Sequence, residues 1–114
     1  MNLNFLAPID ITTIFGNLLD NAIEATEKVE PSKRAISLNI NQKGKLVLIY
    51  IYNTYQENLK IENNKLITTK KDSFNHGFGL KSIENIVKKY NGDLKISTNN
   101  NIFELNIILQ NINN

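Results

Sequence analysis

The chain has no cysteine, no tryptophan, two prolines and a single histidine, His76. Without thiols it cannot carry disulfide staples, thiol catalysis or cysteine-ligated zinc, and the lack fits a reducing compartment. One histidine excludes a histidine-cluster metal site. No apolar run approaches the ~18 residues that a membrane helix needs. The opening Met-Asn-Leu-Asn-Phe-Leu lacks the charged-then-apolar layout of a signal peptide. Neither sign of charge dominates: 13 Lys+Arg against 11 Asp+Glu leave a formal net charge of +2, too weak to imply nucleic acid. What remains is 114 residues, 41% of them hydrophobic, which is room for one domain with a sizeable core. Residues 1–114 read as that single domain, with no internal repeat and no linker.

Asp10 is the expected N-cap of a first helix. Ile11, Ile14, Phe15, Leu18, Ala22, Ala25 and Val29 then recur at steps of three and four, burying one face. Glu30-Pro31-Ser32 ends it. Ala35–Asn41 alternates Ile36, Leu38 and Ile40 with polar residues, a strand with one wet face. Gly44 marks a hairpin, and Lys45–Tyr52 is apolar on both faces, as a mid-sheet strand is. From Asn53 to Asn75 the pattern dissolves into a polar stretch long enough to be a functional lid. His76-Gly77-Phe78-Gly79 opens a second helix carrying Leu80, Ile83, Ile86, Val87 and Tyr90, which Asn91-Gly92 stops in left-handed conformation. Leu94–Thr98 and Phe103–Leu109 are strands around a turn at Asn99–Asn101. The order predicts an α+β fold, a two-layer sandwich with a mixed, mostly antiparallel sheet and its helices on one face.

Three groups of residues could carry chemistry. Asn17, Asn21, Glu24 and Lys28 share an arc of the first helix beside its apolar stripe. Carboxamides there either face a hydrated magnesium ion and a polyphosphate, or are simply solvated positions in an asparagine-rich chain. Gly77 and Gly79 at a helix start either let backbone amides approach an anion or merely make a tight turn. Lys81 would add charge in that first turn, and Thr68-Thr69-Lys70-Lys71 is an upstream phosphate-contacting stretch or a solvated loop. Tyr50, Tyr52, Tyr55 and Phe74 either border an adenine ring or belong to the core. His76 has no acid or nucleophile paired with it in sequence and reads as a loop histidine.

Taken together, Gly16-Asn17-Leu18-Leu19-Asp20-Asn21-Ala22-Ile23-Glu24-Ala25 resembles the N box of the gyrase–Hsp90–histidine-kinase–MutL ATPase superfamily. Thr68–Asp72 through His76-Gly77-Phe78-Gly79-Leu80-Lys81-Ser82-Ile83 is similar to its glycine box, with a lid between. Both occur in order about 60 residues apart, and the likeness runs from about Asp10 to Leu109. Within the superfamily the chain looks like the ATP-binding catalytic domain of sensor histidine kinases, nearest the Gram-positive quorum-sensing receptors of the AgrC-like type. The resemblance implies ATP and Mg²⁺ as cofactors, with Asn21 as magnesium ligand and Asn17 assisting at the metal and phosphates. Gly77, Phe78, Gly79, Leu80 and Lys81 would line the phosphates, and Lys70 or Lys71 would neutralise the γ-phosphate. Hydrolysing relatives place a glutamate general base at the position of Asn17. Its absence implies that the γ-phosphoryl waits for a histidine acceptor.

Two departures from the family pattern stand out. The usual Asp-x-Gly-x-Gly after the central strand is replaced by Ile51-Tyr52-Asn53-Thr54-Tyr55. Asn53 can accept the adenine hydrogen bond without the aspartate's charge, so modest affinity is expected. The Gly-Thr that often precedes the final strand is Asn101-Ile102. The strand pair that usually precedes the N-box helix is reduced to Asn2–Leu6, and the acceptor histidine of such kinases lies on an upstream dimerisation helix. The resemblance therefore implies a catalytic domain truncated at its N-terminus, unable to autophosphorylate alone. Its expected partners are the phosphoacceptor-histidine dimerisation domain and a response-regulator receiver domain. The full-length protein would be homodimeric and anchored to the membrane, with this domain in the cytoplasm. Two other readings remain: a stand-alone serine kinase of the anti-sigma-factor type, and a degenerate module that only docks partners.

Overall fold

The computed structural model describes residues 3–56, 60–62, 65–67 and 73–111. Its element order is α1 (Pro8–Glu27), a 3-10 turn at Pro31–Lys33, β1 (Ile36–Lys43), β2 (Leu46–Thr54), β3 (Lys60–Glu62), β4 (Lys65–Ile67), α2 (Ser73–Lys89), β5 (Asp93–Asn99) and β6 (Ile102–Gln110). Strand periodicity explains the sheet. On β6, Phe103, Leu105, Ile107 and Leu109 point one way and are buried, while the residues between them are half-buried. Val47, Ile49 and Ile51 do the same on β2. The sheet order is β1-β2-β6-β5, with every pairing antiparallel. Both faces of β2 carry apolar residues because it lies inside the sheet. β3 and β4 form a separate antiparallel hairpin within the stretch expected to be structureless.

Both helices cover the same face, α1 over β1 and β2, α2 over β5 and β6, and they pack on each other. The core between the layers centres on Ile14 and Leu18 of α1, Ile83 of α2 and the inward rows of β2 and β6. The α+β sandwich expected from the sequence is the fold observed. No described helix is long and apolar enough to cross a membrane.

Two local expectations are corrected. Asp10 does not cap α1: the helix begins two residues earlier at Pro8, whose missing N–H suits the first helical position, and Ala7 is the N-cap without a side-chain bond. Asp10 instead turns inward from the first turn. It accepts hydrogen bonds from Lys89 Nζ (2.7 Å) and Tyr90 Oη (2.5 Å). The Tyr90 hydroxyl also accepts from the amide of Ala7 at 2.9 Å. Secondly, α2 begins at Ser73 rather than at the glycines, so Gly77 and Gly79 lie inside the helix. The left-handed stop expected at Asn91-Gly92 is present, and Asn91 (φ 50°) supplies it.

The Asp10–Lys89–Tyr90 cluster makes stability pH-dependent. The hydrogen bonds from Lys89 and Tyr90 hold the Asp10 carboxyl below its ordinary 3.8, outweighing the effect of burial. A folded pKa below the unfolded one means that this contribution is complete above pH 3.8 and is lost as pH falls through the folded value. Asp10→Asn should therefore lower stability at neutral pH and flatten its decline in acid, read from urea midpoints between pH 2 and 7. An acid limb that is unchanged in the variant would assign the decline to other carboxylates.

Candidate functional site

The two helices run antiparallel, because the start of α1 meets the end of α2 through Asp10 and Tyr90. About two turns further along, Asn17 and Asn21 leave α1 on the flank that faces α2. Both are half-buried. Gly79 of α2 stands opposite. A Cβ on Gly79 would lie 3.4 Å from Asn21 Nδ2, 3.4 Å from Asn21 Oδ1 and 3.6 Å from Asn17 Oδ1. Two carboxamides one helical turn apart thus border a bare backbone position of the partner helix. The sequence placed these three residues in two segments, and the fold brings them together.

The other expected site residues fall differently. Gly77 and Phe78 belong to the backbone of α2. The amides left without helical partners are those at the start of the helix, ahead of Gly77. Gly79 is buried, and what distinguishes it is close approach to the carboxamides, not an exposed amide. Leu80 is a core residue at 6% exposure, so its side chain is unavailable to a ligand. Lys81 is exposed and lies beyond the first turn of α2. Glu24 is half-buried on α1 and Lys28 is exposed. Thr68, Thr69, Lys70 and Lys71 lie outside the described residues.

Asn53 ends the inward row of β2 and is buried at 3% exposure, on the helix-covered face with Ile49 and Ile51. Its Nδ2 donates to the carbonyl of Thr54 at 3.0 Å. A buried carboxamide at the end of an apolar row is out of place in a simple core, and its position at the sheet end gives it a polar role there. Strand parity separates the aromatics. Tyr50 and Tyr52 project from the opposite sheet face, their rings 6.2 Å apart, and cannot border a site on the helix side. Burial, followed by the Glu104 carboxylate, raises the Tyr50 pKa. Tyr55 lies beyond the strand, packs against the core and donates its amide to the carbonyl of Asn101 at 2.9 Å. It lines a hollow of about 370 Å³ with Val29, Glu30, Thr54 and the turn at Asn100–Asn101. Val29 and Thr54 are not among the expected site residues, because each reads locally as a helix end or a strand end.

Among the described residues there is no group of three or more His, Cys, Asp or Glu side chains that could hold a metal ion. The carboxamide oxygens of Asn17 and Asn21 are the hard donors that the helix pair presents. That set fits a cation which keeps most of its ligands as water and phosphate oxygens, the behaviour of Mg²⁺.

The sequence profile described as the GHKL domain matches residues 6–110, nearly the entire chain. The chain belongs to the GHKL domain family. Solved structures agree at the level of fold. The catalytic domain of histidine kinase ThkA superposes with a TM-score of 0.66 at 21% identity, over 90% of this chain and 67% of that one. Histidine kinase AdeS of Acinetobacter baumannii superposes with a TM-score of 0.62 at 18% identity, over 91% of this chain and 47% of that one. This GHKL domain therefore spans about half to two-thirds of those structures. No curated protein sequence matches it significantly.

Proposed function

We propose that this GHKL domain is the catalytic, ATP-binding domain of a two-component sensor histidine kinase. It would hold Mg-ATP between α1 and α2 and present the γ-phosphoryl to a histidine outside residues 1–114, from which an aspartate of a response regulator would receive it. The observation that carries the reading is the approach of the Asn17 and Asn21 carboxamides to Gly79 across the helix pair. In this reading Asn21, with Asn17 beside it, contributes oxygens to the magnesium ion, which when bound neutralises phosphate charge. Asn53, buried at the sheet end, marks the purine side. Lys81 is exposed on α2, and with Lys70 or Lys71 it would supply positive charge towards the phosphates. Neither Asn17 nor Asn21 can take a proton from water. Activity would therefore consist of positioning and charge neutralisation, and transfer would await an acceptor.

The asparagine at position 53 and the form of the N box favour the AgrC-like quorum-sensing subgroup within that class. A membrane anchor, a homodimeric full-length protein and cytoplasmic placement of this domain belong to the same proposal. A stand-alone serine kinase would be supported by phosphate transfer to a serine of a partner protein.

Titration calorimetry with a non-hydrolysable ATP analogue and magnesium tests nucleotide binding directly. At about a hundred times Kd, binding should stabilise the fold by about 2.7 kcal/mol, a rise of roughly 10 °C in Tm. No heat and no rise would leave the docking module as the better account. Gly79→Ala sharpens the test. Its methyl would meet Asn21 at 3.4 Å, an ordinary contact, so the variant should fold. Alanine inside a helix should even add up to about 1 kcal/mol. The same methyl fills the space beside the carboxamides and should weaken Mg-ATP binding about tenfold or more, some 1.4 kcal/mol. Unchanged affinity in that variant would move the nucleotide elsewhere.

A further inference from the structure

Asn91-Gly92 stops α2, and it is the only place in the chain where glycine follows asparagine. That pair has a chemistry of its own. The backbone nitrogen after an asparagine can attack the side-chain carboxamide, and only glycine leaves that nitrogen unhindered. Elsewhere the residue after an asparagine carries a side chain. Asn91 is also exposed, so water and base reach it. The fold nevertheless opposes the attack in several ways. Asn91 is left-handed, with φ 50°. In that region ψ is about +47°, which swings the next nitrogen almost opposite the Cβ, whereas ring closure needs the two eclipsed. The Gly92 N–H is occupied, donating to the carbonyl of Val87 at 2.8 Å. The turn has no room to rotate in place, since a Cβ on Gly92 would lie 1.8 Å from the carbonyl oxygen of Ile108. Hydrogen bonds from Asn91 to Lys88 and from Gln110 to Tyr90, both 3.1 Å, hold its two sides.

We infer that Asn91 is a modification site: a deamidation site that the folded turn holds shut and that opening of the turn exposes. In the open chain the Gly92 nitrogen gives its proton to base and bonds to Asn91 Cγ. The side-chain nitrogen takes a proton from water and leaves as ammonia. Water then opens the cyclic imide at either carbonyl, giving aspartate or isoaspartate at 91. Both products weaken the turn. Aspartate sets a negative charge against the carbonyl end of α2, where the helix dipole is already negative. Isoaspartate routes the backbone through the side chain and adds one carbon ahead of Gly92, in a turn with no spare room beside Ile108. Conversion is therefore a one-way mark: a chain left open acquires a residue that opposes closing. The site lies at the far end of α2 from Gly79, so the inference stands apart from the nucleotide reading.

Peptide mapping of the full chain tests this after incubation at mildly alkaline pH in buffer and in guanidinium chloride. In the denatured chain Asn91 should be the first asparagine lost. In buffer its loss should be at least about a hundredfold slower, which corresponds to an opening cost of about 2.8 kcal/mol or more. Chains aged in denaturant and returned to buffer should regain the native unfolding midpoint only where Asn91 is intact. Asn91→Gly suits the left-handed position and has no carboxamide to lose, so the same ageing should leave its refolding unharmed. Equal rates in buffer and in denaturant overturn the proposal, as does another asparagine converting first in the denatured chain. It fails equally if converted chains refold with an unchanged midpoint, or if aged Asn91→Gly loses as much refolding as the parent chain.

Discussion

Asn21→Ala is expected to abolish measurable Mg-ATP binding while leaving the domain folded. Both halves of that outcome follow from where the side chain stands. Asn21 is half-buried on the flank of α1 facing α2, outside the apolar stripe of Ile14, Leu18 and Ala22. Truncating it opens no core cavity, and alanine is the best helix former, so Tm should move by only a few degrees. Nothing else on that stretch of α1 replaces its oxygen one turn from Asn17. A hydrogen bond or ligand contact to a charged group is worth about 1.5–3 kcal/mol, or 10- to 150-fold in affinity. In the proposed reading Asn53 takes the place of an aspartate on the purine side, so the starting affinity is expected to be modest, and such a loss removes it from the calorimetric range. Asn21→Asp separates charge from geometry: it keeps an oxygen at the same place and should retain magnesium-dependent binding better than alanine does. Full affinity in Asn21→Ala, with Gly79→Ala also silent, would place any nucleotide site away from the α1–α2 cleft.

How much of this could be read beforehand depends on the range of the physics involved. The sheet was legible where one face is buried, because period-two alternation in Phe103, Leu105, Ile107 and Leu109 admits one register. The N-box pair was legible because residues four apart on a helix share a flank. Asp10 was misread because its partners, Lys89 and Tyr90, are 79 and 80 positions away and a capping rule sees only neighbours. Gly77 and Gly79 suggested the start of a helix, but α2 runs through them from Ser73, and tertiary contact with α1 overrides their poor propensity. Strands as short as Lys60–Glu62 and Lys65–Ile67 leave no periodic trace. Of the two alternatives for Tyr50 and Tyr52, parity with Ile49 and Ile51 already disfavours a place beside a nucleotide on the helix side, because it puts them on the outer face. The candidate site was half legible: the asparagine pair and Gly79 stand out in their segments and helical spacing already puts Leu80 on the buried face, whereas the approach of Gly79 to the carboxamides and the hollow beside Tyr55 appear only once the layers are assembled.

Gly92→Ala is the substitution expected to damage stability most. Of the Asn91-Gly92 pair that stops α2, Asn91 takes the left-handed conformation and Gly92 does not. What requires glycine is space. A Cβ on Gly92 would lie 1.8 Å from the carbonyl oxygen of Ile108 and 3.0 Å from its carbon. That carbonyl cannot retreat, because β6 is held on both sides, Ile108 standing opposite Leu48 of β2 and Asp93 of β5. Relief must come from the turn, where Gly92 donates to Val87 at 2.8 Å, Asn91 to Lys88 at 3.1 Å and Gln110 to Tyr90 at 3.1 Å. Moving it breaks hydrogen bonds worth about 0.5–1.5 kcal/mol each and disturbs the packing of Tyr90 and Leu94. We expect Gly92→Ala to cost more than about 3 kcal/mol, a large part of the 5–15 kcal/mol typical of such a domain, measured from urea unfolding. Gly16→Ala supplies the opposite sign. It lies within α1 with nothing within 4 Å of the added methyl, and should stabilise by about 0.5–1 kcal/mol. If both alanines shifted the midpoint equally, the contact with Ile108 would not be what demands glycine at 92.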